Sequence, residues 1–125
     1  MRALRTHHGD EQAFVRRVDQ QQRPEGYRLV GAFEDGRCVA VAGFRSGHNL
    51  AWGDFMYVDD LSTLPEARGR GLGAALLEWC QEEARRLGCG ELHLDSGVQP
   101  EREDAHRLYF NQRMRIQSCH FNKRL

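Results

Sequence analysis

The first half of the chain shows apolar residues at helical spacing, followed by apolar runs that are typical of strands. The helical pattern predicts a helix over residues 10–22, which Asp10 can cap and which ends before Pro24. The Asp35-Gly36 pair is typical of a tight hairpin turn, so the runs on either side of it predict two antiparallel strands. The predicted strands cover residues 27–33, 37–44 and 52–63, with a polar loop at residues 46–49.

The second half of the chain alternates predicted helices with predicted strands. Its strongest helix follows Gly71 and ends at Gly88, which supplies a C-cap. The apolar face predicted for this helix consists of Leu72, Ala75, Leu76, Trp79 and Leu87. The remaining predicted elements are a short strand at residues 91–95, a helix at residues 101–112 and a final strand at residues 115–125.

A glycine-rich turn and the strongest helix connect two of these strands. A strand, a crossover helix and a second strand form a βαβ unit, so the strands at residues 52–63 and 90–95 should be parallel neighbours. The other strands are expected to pair antiparallel. The predicted fold class is therefore α/β (α+β), with a mixed sheet.

Length and charge restrict the class of protein. With 125 residues the chain can form one hydrophobic core, which predicts a single domain over residues 1–125. No apolar run approaches the roughly 18 residues of a membrane span, and the residues after Met1 lack the apolar core of a signal peptide. We therefore expect a soluble, cytoplasmic protein. The 18 basic and 18 acidic side chains cancel, which argues against nucleic acid and membranes as partners.

The cysteines and histidines do not form a pattern that is typical of a metal site. The four cysteines are Cys38, Cys80, Cys89 and Cys119. They are widely spaced and include no C-x-x-C pair, so we expect reduced, mostly structural thiols, with nucleophilic thiol chemistry as the less favoured alternative. His7 and His8 are predicted to lie in a solvated loop, and no metal is expected.

A short segment before the strongest helix combines two arginines with three glycines. It reads Arg68, Gly69, Arg70, Gly71, Leu72 and Gly73. Glycines let successive backbone N–H groups converge on one anion, and a helix N-terminus adds unsatisfied donors and about half a positive charge. The segment lacks the G-K-[ST] of NTPases and the G-x-G-x-x-G of dinucleotide folds, so it predicts a different diphosphate site. Taken alone, it could equally be a flexible turn with two solvated arginines.

These residues resemble the signature of the GCN5-related N-acetyltransferase (GNAT) superfamily, R-x-x-G-x-G/A between a long fourth strand and the third helix. The match runs over residues 61–73, and Ala105, Leu108 and Tyr109 are similar to the family's A-x-x-L-Y helix. The resemblance covers roughly residues 10–125. It implies a mostly antiparallel mixed sheet, flanked by helices, whose central parallel pair is splayed at the cofactor site. It further implies that the family's first strand is missing and that acetyl-CoA is the co-substrate, without a metal.

Two positions depart from the family pattern. Arg102 stands where the family helix usually has an asparagine that helps to bind the cofactor, which puts that contact in doubt and offers a phosphate partner instead. Arg113 stands where a glycine usually ends the helix.

The resemblance implies a cofactor-binding role for the end of the long strand and an acid role for one tyrosine. Backbone N–H groups near Leu61, Ser62 and Thr63 would polarise the thioester carbonyl. Tyr109 occupies the position of the family tyrosine that protonates the departing CoA thiolate. Packing of Tyr109 in a core with its helix neighbours is the alternative, and both can hold together.

An acceptor ammonium must lose a proton before it attacks, which calls for a carboxylate near the strand end. By resemblance, Asp59 is favoured as the base and Asp60 as a positioning group. Since adjacent strand residues point to opposite faces, at most one of them is expected to face the acceptor. Ordinary solvated or ion-paired aspartates are the alternative. Weaker acid or base candidates are Asp54, His93 and Asp95, and His93 is equally expected as a hydrogen-bonded sheet histidine.

The predicted function is acetyl transfer to a primary amine of a small molecule or protein, with the acceptor not identified. The acidic residues favour a cationic acceptor, such as a polyamine, aminoglycoside, amino acid or protein amine. The main alternative is a non-catalytic acyl-CoA-binding module on the same fold. A homodimer is the common state of small relatives and is a further expectation.

Overall fold

The computed structural model describes residues 10–125, which divide into one compact unit that ends at Leu94 and a second at Asp95–Leu125. The prediction for His7 and His8 concerns residues outside this range. The single domain over residues 1–125 stays a prediction. None of the helices in the described range has the length and apolar character needed to cross a membrane.

The predicted helix is present near the start of the described residues. Helix α1 covers Glu11–Arg17, and the Asp10 side chain caps it by accepting a hydrogen bond from the backbone N–H of Ala13 at 2.8 Å. The chain continues through a π-helical segment, Val18–Gln22, and a 3₁₀ turn, Arg23–Glu25. The residues between 10 and 27 form no strand.

Among residues 10–125, four strands form one sheet in the order β1-β2-β3-β4. They cover Arg28–Glu34, Arg37–Asn49, Gly53–Thr63 and Glu91–Leu94. Strands β1 and β2, and β2 and β3, are antiparallel, whereas β3 and β4 are parallel, as predicted. Asp35 and Gly36 both have positive φ angles, of 50° and 76°, as the tight hairpin turn between β1 and β2 requires.

The predicted loop at residues 46–49 is wrong, because these residues continue β2. Ser46 to Asn49 pair with Met56 to Gly53 of β3, so their backbone polar groups are satisfied in the ladder despite the polar side chains. The reversal is instead held by Asn49, whose side-chain oxygen accepts a hydrogen bond from the Trp52 N–H at 2.7 Å.

Helix α2, Leu72–Arg86, packs on one face of the sheet. Its buried residues are Leu76, Leu77, Cys80, Glu83 and Ala84. The predicted apolar face is therefore displaced: Trp79 and Leu87 remain 40% and 41% exposed, and Ala75 is exposed. The reason is Glu83, which lies on the buried face because Arg28 of β1 and Arg86 of α2 pair with its carboxylate. In the part of the chain that the structure describes, the largest fully buried side chains are Phe44, Met56, Leu77 and Cys80.

The second unit contains a 3₁₀ turn, Pro100–Arg102, followed by helix α3, Glu103–Asn111. After α3, Arg113 adopts φ 63°, the left-handed conformation that the family glycine would favour. The N–H of Met114 donates to the Tyr109 carbonyl and that of Arg113 to the Phe110 carbonyl, which is a Schellman motif.

The predicted strand at residues 115–125 is wrong. These residues have no regular secondary structure and are exposed. Within the second unit no strand is available for pairing, and an alternating segment cannot form a ladder without one.

Candidate active site

The glycine-rich turn has the geometry that an anion site requires. Gly69 and Gly71 have φ angles of 79° and 76°, and a Cβ built on either would meet no atom within 4 Å. Gly71 is also the N-cap of α2, where no side chain caps the helix and the first turn carries no acidic residue. The first N–H groups of α2 therefore lie behind open space, so these residues fit a diphosphate.

The arginines of the turn contact one carboxylate and two backbone carbonyls. Arg70 pairs with Glu34 at the end of β1 at 2.5 Å and donates to the Glu66 carbonyl at 3.0 Å. Arg68 Nε donates to the Thr63 carbonyl at 3.3 Å. Arg37 of β2 pairs with the Glu66 carboxylate at 2.9 Å. A backbone hydrogen bond lowers the pKa of Glu66, and both Arg37 and Arg70 act in the same direction.

Strand β3 extends beyond its parallel partner. The β3–β4 pairing ends at Val58 and Leu94, whereas β3 continues to Thr63. Leu61, Ser62 and Thr63 pair with β2 on one side only. The predicted separation of the parallel pair is thus present, and the β3 backbone at residues 59–63 has no β4 partner.

A β-bulge places both aspartates on one face of the sheet, which corrects the expectation that they point to opposite faces. Gly43 of β2 pairs with Asp60 and Phe44 pairs with Val58, so Asp59 is an extra residue in β3. Phe44 faces α2, where its ring lies 5.7 Å from that of Trp79. Gly43 and its partner Asp60 therefore face the opposite side.

We call this side the carboxylate face and define it by Arg45, Tyr57, Asp59, Asp60 and His93. Arg45 Nε donates to both carboxylate oxygens of Asp59, at 2.9 and 3.2 Å. The Arg45 guanidinium also lies over the Tyr57 ring, 5.3 Å from its centroid. Asp59 is thus held by a neighbouring cation.

The second carboxylate is held by a phenol. The buried Tyr27 donates its hydroxyl to Asp60 at 2.7 Å. The ring occupies the space above Gly43, where a Cβ would lie 1.7 Å from the hydroxyl oxygen. A glycine at position 43 is therefore required for this contact.

His93 of β4 is the register partner of Tyr57, and its ring lies between aromatic side chains. Its ring stacks on Trp52 at 3.6 Å between centroids and is nearly parallel to that of Tyr57 at 6.4 Å. The expectation of a fully hydrogen-bonded histidine is wrong, since its buried Nε2 has no hydrogen-bond partner among the described residues. The Glu91 carboxylate lies 3.7 Å from that nitrogen. Asp54 is exposed and accepts the Gly90 N–H through its carbonyl.

Tyr109 lies in the second unit with Arg102. Burial raises the pKa of Tyr109, while the charge and hydrogen bond of Arg102 act against that rise. Arg102 also donates to Ser96, at 3.5 Å. His106 contacts the Ser96 hydroxyl and the Gly97 carbonyl, at 3.1 and 2.8 Å. The Asp95 carboxylate oxygen Oδ2 lies 3.5 Å from Nδ1 of His120.

Metal-ligating side chains do not gather into any group of three or more within residues 10–125. The cysteines are all free thiols, but only Cys80 is buried, whereas Cys38 and Cys119 are exposed. The expectation of mostly structural thiols therefore holds best for Cys80.

Three residues of the site were missed in the sequence: Tyr27, Gly43 and Arg45. Each lies within or beside an apolar strand, where its residue type alone carries no functional signal. The one available signal was Arg45 at the end of a predicted buried strand, where a long cation is unusual.

Comparison with known proteins shows to which family the chain belongs. The sequence profile of the "Acetyltransferase (GNAT) family" matches residues 2–113. The chain belongs to this GNAT family. The predicted fold, a largely antiparallel mixed sheet with one parallel pair, is confirmed for this GNAT chain.

Two relatives of this GNAT chain are named as N-acetyltransferases. It is 32% identical over 100 residues to an uncharacterized N-acetyltransferase, YhdJ, of Bacillus subtilis, covering 80% of this chain and 69% of that protein. It is 31% identical over 100 residues to an aminoalkylphosphonate N-acetyltransferase of Salmonella typhimurium, covering 79% and 62% respectively.

Solved structures share the fold of this GNAT chain. The ribosomal-protein-alanine N-acetyltransferase of Brucella melitensis superimposes with a TM-score of 0.75 at 23% identity, over 90% of this chain and 80% of that one. At this identity the likeness shows the fold alone.

Proposed function

We propose that this GNAT chain transfers an acetyl group from acetyl-CoA to a primary amine of a small molecule or protein. One observation carries the proposal: β3 parts from β4 after Val58 and leads into an open glycine turn at the uncapped start of α2. Backbone donors at this turn suit a pyrophosphate, and the one-sided β3 backbone at Leu61, Ser62 and Thr63 suits a pantetheine and thioester.

Acetyl-CoA supplies the activated thioester. The protein must then remove a proton from the acceptor ammonium, and we assign this task to Asp60. This reverses the roles expected from the sequence, because Arg45 donates to both oxygens of Asp59 and competes for its basic lone pairs. Tyr27 holds the Asp60 carboxylate in place. Asp59 then acts as a positioning residue through Arg45.

Tyr109 is proposed to give its phenolic proton to the departing thiolate. The raised pKa of Tyr109 keeps the phenol protonated at neutral pH, as a proton donor requires. Arg102 favours the phenolate left behind, since its charge opposes the rise in pKa. Arg102 thereby has a proposed role beside Tyr109 as well as its expected role at a phosphate.

Calorimetric titration with acetyl-CoA tests the cofactor site. Micromolar binding by the wild type, lost in the double variant Gly71→Glu with Gly73→Glu, is the expected result. Desulfo-CoA should bind at the same turn because it keeps the pyrophosphate. No binding by the wild type would remove the enzyme proposal.

Turnover tests the chemical roles separately. Tyr109→Phe and Asp60→Asn should each lower kcat by about 10²-fold or more while acetyl-CoA binding is kept. Asp59→Asn should have the smaller effect. Binding of acetyl-CoA without turnover of any amine would instead favour the non-catalytic acyl-CoA-binding module.

A further inference from the structure

The charges of the carboxylate face are not those of a simple polycation site. It holds two carboxylates, but Arg45 is bound to one of them. A second ammonium of a polyamine would meet the Arg45 guanidinium, which repels it. The order along the face is instead two negative groups, Asp60 and Asp59, followed by one positive group, Arg45.

Arg45 is fixed in a way that leaves its outer edge for another anion. Its Nε donates to Asp59, and its guanidinium carbon lies over the Tyr57 ring, 5.3 Å from the centroid. Its two Nη groups have no hydrogen-bond partner among residues 10–125, and the side chain is 49% exposed. Two parallel N–H donors of this kind match a carboxylate or a phosphonate in a bidentate manner.

We propose that Arg45 selects acceptors that carry an anionic group, either a carboxylate or a phosphonate, a few bonds from the amine that is acetylated. This inference rests on the proposed acetyl transfer and on Asp60 as the partner of the ammonium. A molecule that carries only an anionic group should bind weakly here, because the Asp59 carboxylate offsets the charge of Arg45. A zwitterion gains at both ends, because its ammonium meets the carboxylates and its anion meets the Nη groups.

The spacing of the two ends fits a short molecule. Asp60 pairs with Gly43, and Arg45 lies two residues further along β2. Two residues of a strand span about 7 Å, which is compatible with an amine and an anion separated by two or three carbon atoms. Asp60 is also the nearer of the two groups to residues 61–63, where the thioester is proposed to lie.

Steady-state kinetics at saturating acetyl-CoA test the selection with four amines of similar size. β-Alanine and 2-aminoethylphosphonate carry the anion, n-propylamine carries no second charge, and 1,3-diaminopropane carries a second cation. We expect kcat/KM for both zwitterions to exceed that of propylamine by about tenfold or more, the effect of one charge-assisted hydrogen-bond pair. The diamine should be the poorest of the four.

Variants assign the preference to Arg45. Arg45→Gln should raise KM for the zwitterions about tenfold or more with little change in kcat, and should thereby remove their advantage over propylamine. The double variant Arg45→Gln with Asp59→Asn removes the unpaired charge and should show the same loss of preference. Arg85→Gln, which breaks an exposed ion pair at the far end of α2, is the matched control and should behave as the wild type.

The outcomes separate the inference from the proposed function. Turnover of propylamine as efficient as that of both zwitterions, or a zwitterion preference that survives Arg45→Gln, overturns selection by Arg45 and leaves acetyl transfer intact. No turnover of any amine withdraws acetyl transfer and the selection with it. A preference for one zwitterion that is lost in Arg45→Gln supports the inference and identifies the anion as carboxylate or phosphonate.

Discussion

The hydroxyl of Tyr27 donates a hydrogen bond to Asp60 at 2.7 Å across the backbone of Gly43. Tyr27 precedes β1, whereas Asp60 lies in β3, so the contact spans the whole of β2. The chain segment before the sheet thereby holds a carboxylate at the point where β3 parts from β4. The hydrogen bond between Tyr27 and Asp60 requires a glycine at position 43, since any Cβ there would overlap the Tyr27 ring.

Gly43→Ala tests this arrangement. The new methyl group would overlap the Tyr27 ring, so we expect a loss of about 1–3 kcal/mol in the free energy of unfolding. Combination with Tyr27→Ala should cost less than the sum of the two single changes, because the clash is then absent. Gly90→Ala is the control, since a Cβ there meets nothing within 4 Å. Additive effects at positions 43 and 27, measured by urea unfolding, would contradict the close contact.

The buried ion pairs of Glu83 should make stability depend on acid. Arg86 and Arg28 hold the pKa of Glu83 at about 2, below its ordinary value of 4.5. Since the pKa is lower in the folded state, the stabilisation is present above about pH 4.5 and is lost as pH falls towards 2. Thermal unfolding from pH 7 to 2 should show a steeper acid loss for wild type than for Glu83→Gln. Glu82→Gln, on the exposed side of α2, should keep the wild-type slope.

The cysteines should differ sharply in reactivity. Burial, with a contribution from Glu83, raises the pKa of Cys80 to about 11, and its side chain is fully buried. Thiolate is the reactive form, so at pH 8 we expect Cys38 and Cys119 to be labelled by iodoacetamide while Cys80 reacts only on unfolding. Peptide mass spectrometry of partly labelled protein locates the sites. Labelling of Cys80 at the rate of Cys38 would disprove its burial.

Arg113→Gly should stabilise the protein. Arg113 holds the left-handed position of the Schellman motif, where a residue with a Cβ costs about 1–2 kcal/mol and glycine does not. After the extra unfolded-state entropy of glycine is deducted, a gain of about 0.5–1 kcal/mol remains. Arg107→Gly in the middle of α3 is the matched control and should lose about 1 kcal/mol. A loss of stability in Arg113→Gly would show that the arginine side chain contributes more than its backbone strain costs.

Much of the fold, including the glycine-rich turn before α2, could be predicted from the sequence, because the interactions that decide these elements are local. Three local signals carry these predictions: apolar residues at helical spacing, the Asp-Gly turn, and glycines before a helix. Each signal reflects the backbone preferences of a few neighbouring residues. The α1 and α2 helices, the hairpin and the parallel pair follow from them. The predictions failed where pairing between strands decides the structure. Residues 46–49 form a strand because they pair with β3. Residues 115–125 form no strand, and their unit contains no strand with which they could pair.

The sequence by itself determined the class of protein, the order of elements up to α3, and the position of the glycine-rich turn before α2. Only the tertiary structure decided how Asp59 and Asp60 are used, because strand alternation assigns them to opposite faces until a bulge is known. A bulge exists only in the register between two strands, and so do the partners Tyr27 and Arg45. The contacts of the two aspartates join segments that are far apart in the sequence, so no local pattern of residues predicts them.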